Sequence, residues 1–90
     1  MKGVASHVGI AGRLVVDPFL EFVEERPVCT LFVDVHHRRP LRLAVVVRGR
    51  QALRCAEVVR EGDGVVAVGE LVCPRDGAVV LEAAAVGVTV

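Results

Sequence analysis

The chain contains no tryptophan and no tyrosine, and its only aromatic residues are Phe19, Phe22 and Phe32. Its core is therefore predicted to be aliphatic, and a function that needs many flat stacking platforms has few to draw on. Ser6 is the only serine, and Thr30 and Thr89 are the only threonines. There is no Gly-rich phosphate loop, no nucleophile elbow and no acid pair placed by a motif, so an enzyme is not expected. Cysteine is scarce and odd in number. Cys29, Cys55 and Cys73 lack CxxC spacing and sit among apolar neighbours, which predicts small buried hydrophobes in a reducing cytoplasm. With His7, His36 and His37 they offer no ligand spacing beyond two adjacent histidines, so no metal and no other cofactor is expected. No basic-apolar-small leader opens the chain. The apolar run from Gly77 to Val90 is interrupted by Glu82 and too short to span a bilayer, so no membrane partner is expected.

What is present is aliphatic and patterned. Of 90 residues, 53% are hydrophobic, and Val and Ala dominate them, which excludes disorder and favours strands. The length predicts a single domain over 1–90, with no linker, repeat or low-complexity segment. Formal net charge is zero, but the charges are segregated. Acids gather early, at Asp17, Glu21, Glu24 and Glu25, whereas Arg38, Arg39, Arg42, Arg48, Arg50 and Arg54 crowd the middle. A local basic field can coexist with a neutral total. Ten arginines stand against the single Lys2, a bias that suits bidentate phosphate contacts but that a GC-rich genome would also produce.

Alternation at a period of two marks the strands. The first is predicted over Val4–Val16, with Gly9 and Gly12 inside it signalling a bend or a close backbone approach. Asp17-Pro18 ends it, and Glu21–Pro27 is a polar connection. Val28–His36 is the second strand, with Cys29, Leu31, Val33 and Val35 inward and Thr30, Phe32, Asp34 and His36 outward. His37-Arg38-Arg39-Pro40 turns the chain into a third strand, with Leu41, Leu43, Val45 and Val47 on one face and Arg42, Ala44, Val46 and Arg48 on the other. After Gly49, Leu53, Ala56 and Val59 or Arg60 fit a helix over Arg50–Glu61, stopped by Gly62. Gly62-Asp63-Gly64 leads to a fourth strand, Val65–Cys73. A tight hairpin at Pro74-Arg75-Asp76-Gly77 then leads to a fifth, Ala78–Val90. Five strands with one short helix between the third and fourth is an all-β pattern, the element order of the OB-fold Greek-key barrel.

Three blocks of residues resemble one family. Gly12-Arg13-Leu14 followed by Asp17-Pro18 resembles the G-R-L-x-x-D-P opening of bacterial single-stranded DNA-binding proteins. Val45-Val46-Val47-Arg48-Gly49-Arg50-Gln51-Ala52, then Cys55-Ala56-Glu57, is similar to that family's V-V-x-x-G-K-x-A-E…E stretch. Arg60-Glu61-Gly62-Asp63 with Val66, Val68, Gly69 and Leu71 is similar to its K-G-D-x-V-x-V-x-G-x-L. The resemblance implies an OB barrel, usually a homotetramer, that wraps single-stranded DNA in replication, recombination and repair. The chain departs from the family at three points. It ends on a strand, with no acidic-tipped tail to recruit replication proteins. Both long hairpins are short. Arg42 and Arg48 stand where the family's base-stacking aromatics are common.

The candidate nucleic-acid-binding residues are Arg13, Phe32, His36, Arg38, Arg39, Arg42, Arg48 and Arg50. Arginine can follow phosphates and also lie over a base plane, so the third-strand pair can serve both purposes. A solvated face of charges that protects a strand edge from aggregation would look the same. Phe32, pointing away from the core, is the candidate stacking residue, and an aromatic at a subunit interface is the competing assignment. Phe19 and Phe22 are expected to cap the barrel mouth. The reading is sequence-independent single-stranded DNA binding by a cytoplasmic, nucleoid-associated homo-oligomer. Valines on both faces of the last two strands expose more apolar surface than a monomer tolerates, so a dimer or tetramer is expected. The alternative is an OB-fold paralogue acting as a protein-interaction or assembly subunit, or a primosomal-type OB protein.

Overall fold

A computed structural model of the chain describes residues 7–35, 41–73 and 79–89. His36, Arg38, Arg39, the turn at Pro40 and the hairpin at Pro74–Gly77 lie outside the described residues. The alternating segments form strands β1 (His7–Leu14), β2 (Phe19–Val23), β3 (Arg26–Val35), β4 (Leu41–Arg48), β5 (Gly64–Val72) and β6 (Val80–Thr89), with helix α1 (Arg50–Val58) between β4 and β5. The sheet order is β1-β5-β6-β4-β3-β2, and β1 also pairs with β3. That extra pairing closes a barrel of five strands, β1, β5, β6, β4 and β3. The β4–β6 pair is parallel and the others are antiparallel. This is the predicted five-stranded OB barrel with one short helix.

Closure happens where β1 pairs on both sides, at Gly12 and Arg13. Gly12 pairs with Val65 of β5 on one side and Val35 of β3 on the other. A Cβ there would collide with the Asp34 carbonyl oxygen and press on Val33. The expected close approach is therefore made by Gly12. Gly9 has ordinary room around it, with no atom nearer than 3.8 Å to a Cβ built there.

The inward positions form one core cluster that includes Leu14, Leu31, Val33, Val45, Val65 and Leu81, all 2% exposed or less. It contains no aromatic ring, as the composition predicts. No helix among the described residues is long and apolar enough to cross a membrane.

Four expectations are corrected. The polar connection begins as a strand: β2 pairs with β3 from Phe19↔Thr30 to Val23↔Arg26, leaving Glu24 and Glu25 as a two-residue turn. Both turn residues have positive φ, 50° and 67°. Asn-Gly normally announces such a turn, and Glu-Glu does not, so the strand was hidden. Second, Phe19 and Phe22 lie on this outlying strand, 60% and 62% exposed, and do not cap the barrel.

Third, α1 ends at Val58 and buries Ala52 and Cys55, followed by Val59 just past its end, while Leu53 is exposed. Both sets obey helical spacing, but small Ala52 and Cys55 allow the helix to seat against β3. Val59 becomes extended (φ −88°, ψ 139°), and its N–H still bonds to Cys55 O, so the last turn closes there. Gly62, with φ 91°, serves the turn into β5. Arg60 caps the helix end by donating Nη1 to the carbonyls of Ala56 and Val59 at 3.0 and 2.8 Å. Fourth, Cys73 is exposed, whereas Cys29 and Cys55 are buried as expected.

Burial pushes the Cys29 thiol up to about 11, and the neighbouring Cys55 adds to this. Burial raises Cys55 as well. A thiol whose pKa is raised by folding stabilises the fold below its unfolded pKa, and that contribution disappears as pH climbs through the folded value.

Two outcomes follow from this packing. Replacing Glu24-Glu25 by Asn-Gly should relieve about 1–2 kcal/mol of turn strain. A thermal melt should then rise by roughly 5–10 °C, and an unchanged or lower midpoint would refute the strain. Denaturant titrations of the native chain should lose stability between pH 9 and 11, and Cys29→Val should lose less. Equal losses would remove Cys29 as the cause.

Candidate nucleic-acid interface

Because Leu31, Val33, Leu43, Val45 and Val47 fill the core, alternation places Thr30, Phe32, Asp34, Arg42, Ala44, Val46 and Arg48 on the outer face of β3 and β4. The register sets Asp34 opposite Arg42, Phe32 opposite Ala44 and Thr30 opposite Val46. Phe32 is 37% exposed, and its cross-strand neighbour Ala44 is too small to cover it. Arg42 and Arg48 lie on either side of that row, about 20 Å apart along the strand at ~3.3 Å per residue. Phe32, Arg42 and Arg48 therefore share one open surface.

Arg13 reaches the same face from β1. Its register partner is Asp34, so Arg13, Asp34 and Arg42 form a row across three strands. The Arg13 guanidinium donates Nη1 to the Gly62 carbonyl at 3.0 Å. Arg50 stands at the first position of α1, beyond the end of β4, where Gly49 turns the chain with φ 73°. His36, Arg38 and Arg39 belong to the segment outside the described residues.

The electrostatics differ from a bare basic patch. Arg42 donates Nε to Asp34 Oδ1 at 3.0 Å. Arg48 donates Nε to Glu82 Oε1 at 3.1 Å and Nη2 to Oε2 at 3.2 Å, a bidentate pair. The hydrogen bonds that Arg48 donates to Glu82, and then the Glu82 charge, push the Arg48 pKa above its ordinary value. These are the two ion pairs among the described residues. Asp34 and Arg42 are equally distant in sequence from Arg38, so their pairing was visible in principle. Glu82 was not, because it reaches Arg48 only through the parallel β4–β6 pairing, in which Val46 is its register partner.

Two further surfaces are apolar, one of them on the valine-rich last two strands that the sequence marks as exposed. The outer face of β1, β5 and β6 sets Gly9, Val68 and Ala85 in one row and Ala11, Val66 and Gly87 in the next. Val66 and Val68 are exposed there, with only glycine and alanine beside them in those two rows. An apolar cavity of about 730 Å³ is lined by Val8, Ile10, Val35, Leu41, Arg42, Leu43, Leu71 and Val79. Among the described residues, no three His, Cys, Asp or Glu side chains gather closely enough to hold a metal ion.

No protein-family model matches the sequence, and no curated protein matches it either. Solved structures do match. The second single-stranded DNA-binding protein (SSBb) of Mycobacterium smegmatis superposes with a TM-score of 0.86 at 24% identity, over 94% of this chain and 89% of that one. The small single-stranded DNA-binding protein of Streptomyces coelicolor superposes with a TM-score of 0.89 at 17% identity, over 98% and 96%. The wild-type single-stranded DNA-binding protein of Thermus aquaticus gives a TM-score of 0.84 at 28% identity, over 93% of this chain and 40% of that one. By fold, and over almost its whole length, this chain resembles the bacterial single-stranded DNA-binding proteins.

Proposed function

We propose that this chain is a single-domain, non-catalytic protein that binds single-stranded DNA without sequence specificity through the outer face of β3 and β4. The observation that carries the reading is the exposed Phe32 ring on an open sheet flanked by two exposed arginines. A base can stack on the ring while guanidinium groups follow the phosphates. Arg13 extends this surface onto β1, and His36, Arg38, Arg39 and Arg50 are further candidate contacts. The likeness to structures titled as single-stranded DNA-binding proteins supports the same reading at the level of fold. Replication, recombination or repair in the cytoplasm, at the nucleoid, is the setting that this activity fits.

The apolar face around Val66 and Val68 supports a homo-oligomer, a dimer or tetramer, in which a second copy covers it. A second reading has its own support. Both outward arginines of β4 already hold carboxylates, as they would in an OB-fold subunit that assembles with proteins and leaves DNA alone.

Fluorescence anisotropy with labelled oligo-dT separates the two. Binding at low salt should weaken steeply as salt rises. Arg42→Ala with Arg48→Ala should weaken it about tenfold or more, equivalent to ~1.4 kcal/mol, without unfolding the chain. Absence of binding at low ionic strength would favour the assembly subunit. Mass measurement at micromolar concentration should return a dimer or tetramer, and Val68→Glu should shift it toward monomer. A monomeric native chain would refute the oligomer.

A further inference from the structure

The two ion pairs have a geometry that bears directly on this proposed DNA surface. Asp34 and Arg42 are register partners on β3 and β4, and Glu82 reaches Arg48 from β6 with both carboxylate oxygens. Glu82 thus occupies a whole two-donor edge of Arg48 that a phosphodiester would use, and Asp34 takes the Nε–H of Arg42. The pairs lie on the surface, with both arginine side chains 61% exposed. Pairs so exposed contribute little to holding a fold. What they do change is the field of the face: each cancels a cation where a polyanion would dock. Around Glu82 the acid is reinforced, because Glu70 is its direct cross-strand neighbour.

We infer that Asp34 and Glu82 set the DNA affinity of this face by holding Arg42 and Arg48 in the free protein and yielding them to phosphate when a strand binds. The inference rests on the DNA-binding reading above. Binding is then an exchange. Each arginine passes from a carboxylate to a phosphate, and the bare carboxylate is left beside the strand. Cations released from the DNA are partly balanced by cations drawn to Asp34 and Glu82. The native protein therefore binds more weakly, and with a flatter salt dependence, than its arginines alone would give.

The test is oligo-dT anisotropy across a salt series with Asp34→Asn, Glu82→Gln and the double variant. Glu57→Gln serves as a control, removing an equal charge from α1, outside both ion pairs. Thermal melts establish folding for each, and Asp34→Asn alone tests the idea should Glu82→Gln fail to fold. The double variant should bind roughly tenfold more tightly near 50 mM salt. Its slope of log affinity against log salt should steepen by up to about 1.4, since each of two neutralised phosphates on a single strand contributes about 0.7. The gain from Glu82→Gln should vanish in an Arg48→Ala background. Binding by the double variant with a silent native chain would support the exchange in its strongest form. A native chain that binds while the double variant gains no more than Glu57→Gln would overturn the exchange and leave the DNA reading standing. A Glu82→Gln gain that persists without Arg48 would also overturn it. Silence from the native chain and the double variant alike would overturn both.

Discussion

Every other feature of this molecule depends on the passage of β1 between β5 and β3. At Gly12 one backbone serves two ladders, and the space it needs exists only because that residue has no side chain. Without the β1–β3 pairing, the sheet would be an open ribbon with the core valines of β3 and β4 facing water. With it, the inward alternation of five strands converges on one aliphatic cluster that α1 seals with Ala52 and Cys55. The outer face of β3 and β4 inherits its order from this closure. Arg13 joins the row of Asp34 and Arg42 because β1 is pulled against β3.

The barrel was legible because its strands alternate cleanly. Cys29, Leu31, Val33, Leu43, Val45 and Val47 all face inward as their spacing predicts. The helix was legible in position but not in register, because the pattern favours the larger Leu53 and packing selects small residues. The β2 strand was hidden by its turn, since Glu24 and Glu25 adopt a conformation that their chemistry does not advertise. At the candidate site, alternation located Phe32, Arg42 and Arg48 together, but it says nothing about partners across strands. Arg50 flanks that row rather than lying in it. It follows Arg48 closely in sequence, but Gly49 separates a strand from a helix between them.

The neutrality of the whole chain is repeated on its β3–β4 face. Acids and arginines that are far apart in sequence become adjacent once β6 lies parallel to β4. A residue count sees only their sum, and a sequence profile sees only two separate blocks. The surface that results is neither a plain cationic groove nor an inert one: its arginines are available in proportion to how readily their carboxylates let go.

The parallel β4–β6 pair also governs the order in which the molecule can be built. β3 and β4 are near neighbours in sequence, and so are β2 and β3. The pairings of β1 with β5 and of β4 with β6 join segments far apart in sequence, so their loop-closure entropy must be overcome before they reward the chain. Until β5 and β6 are available, the front half lacks the partners that pair its edge and cover its valine face. Exposed edges of that kind attract other chains. A protein this rich in valine is most vulnerable to its own copies before it is finished.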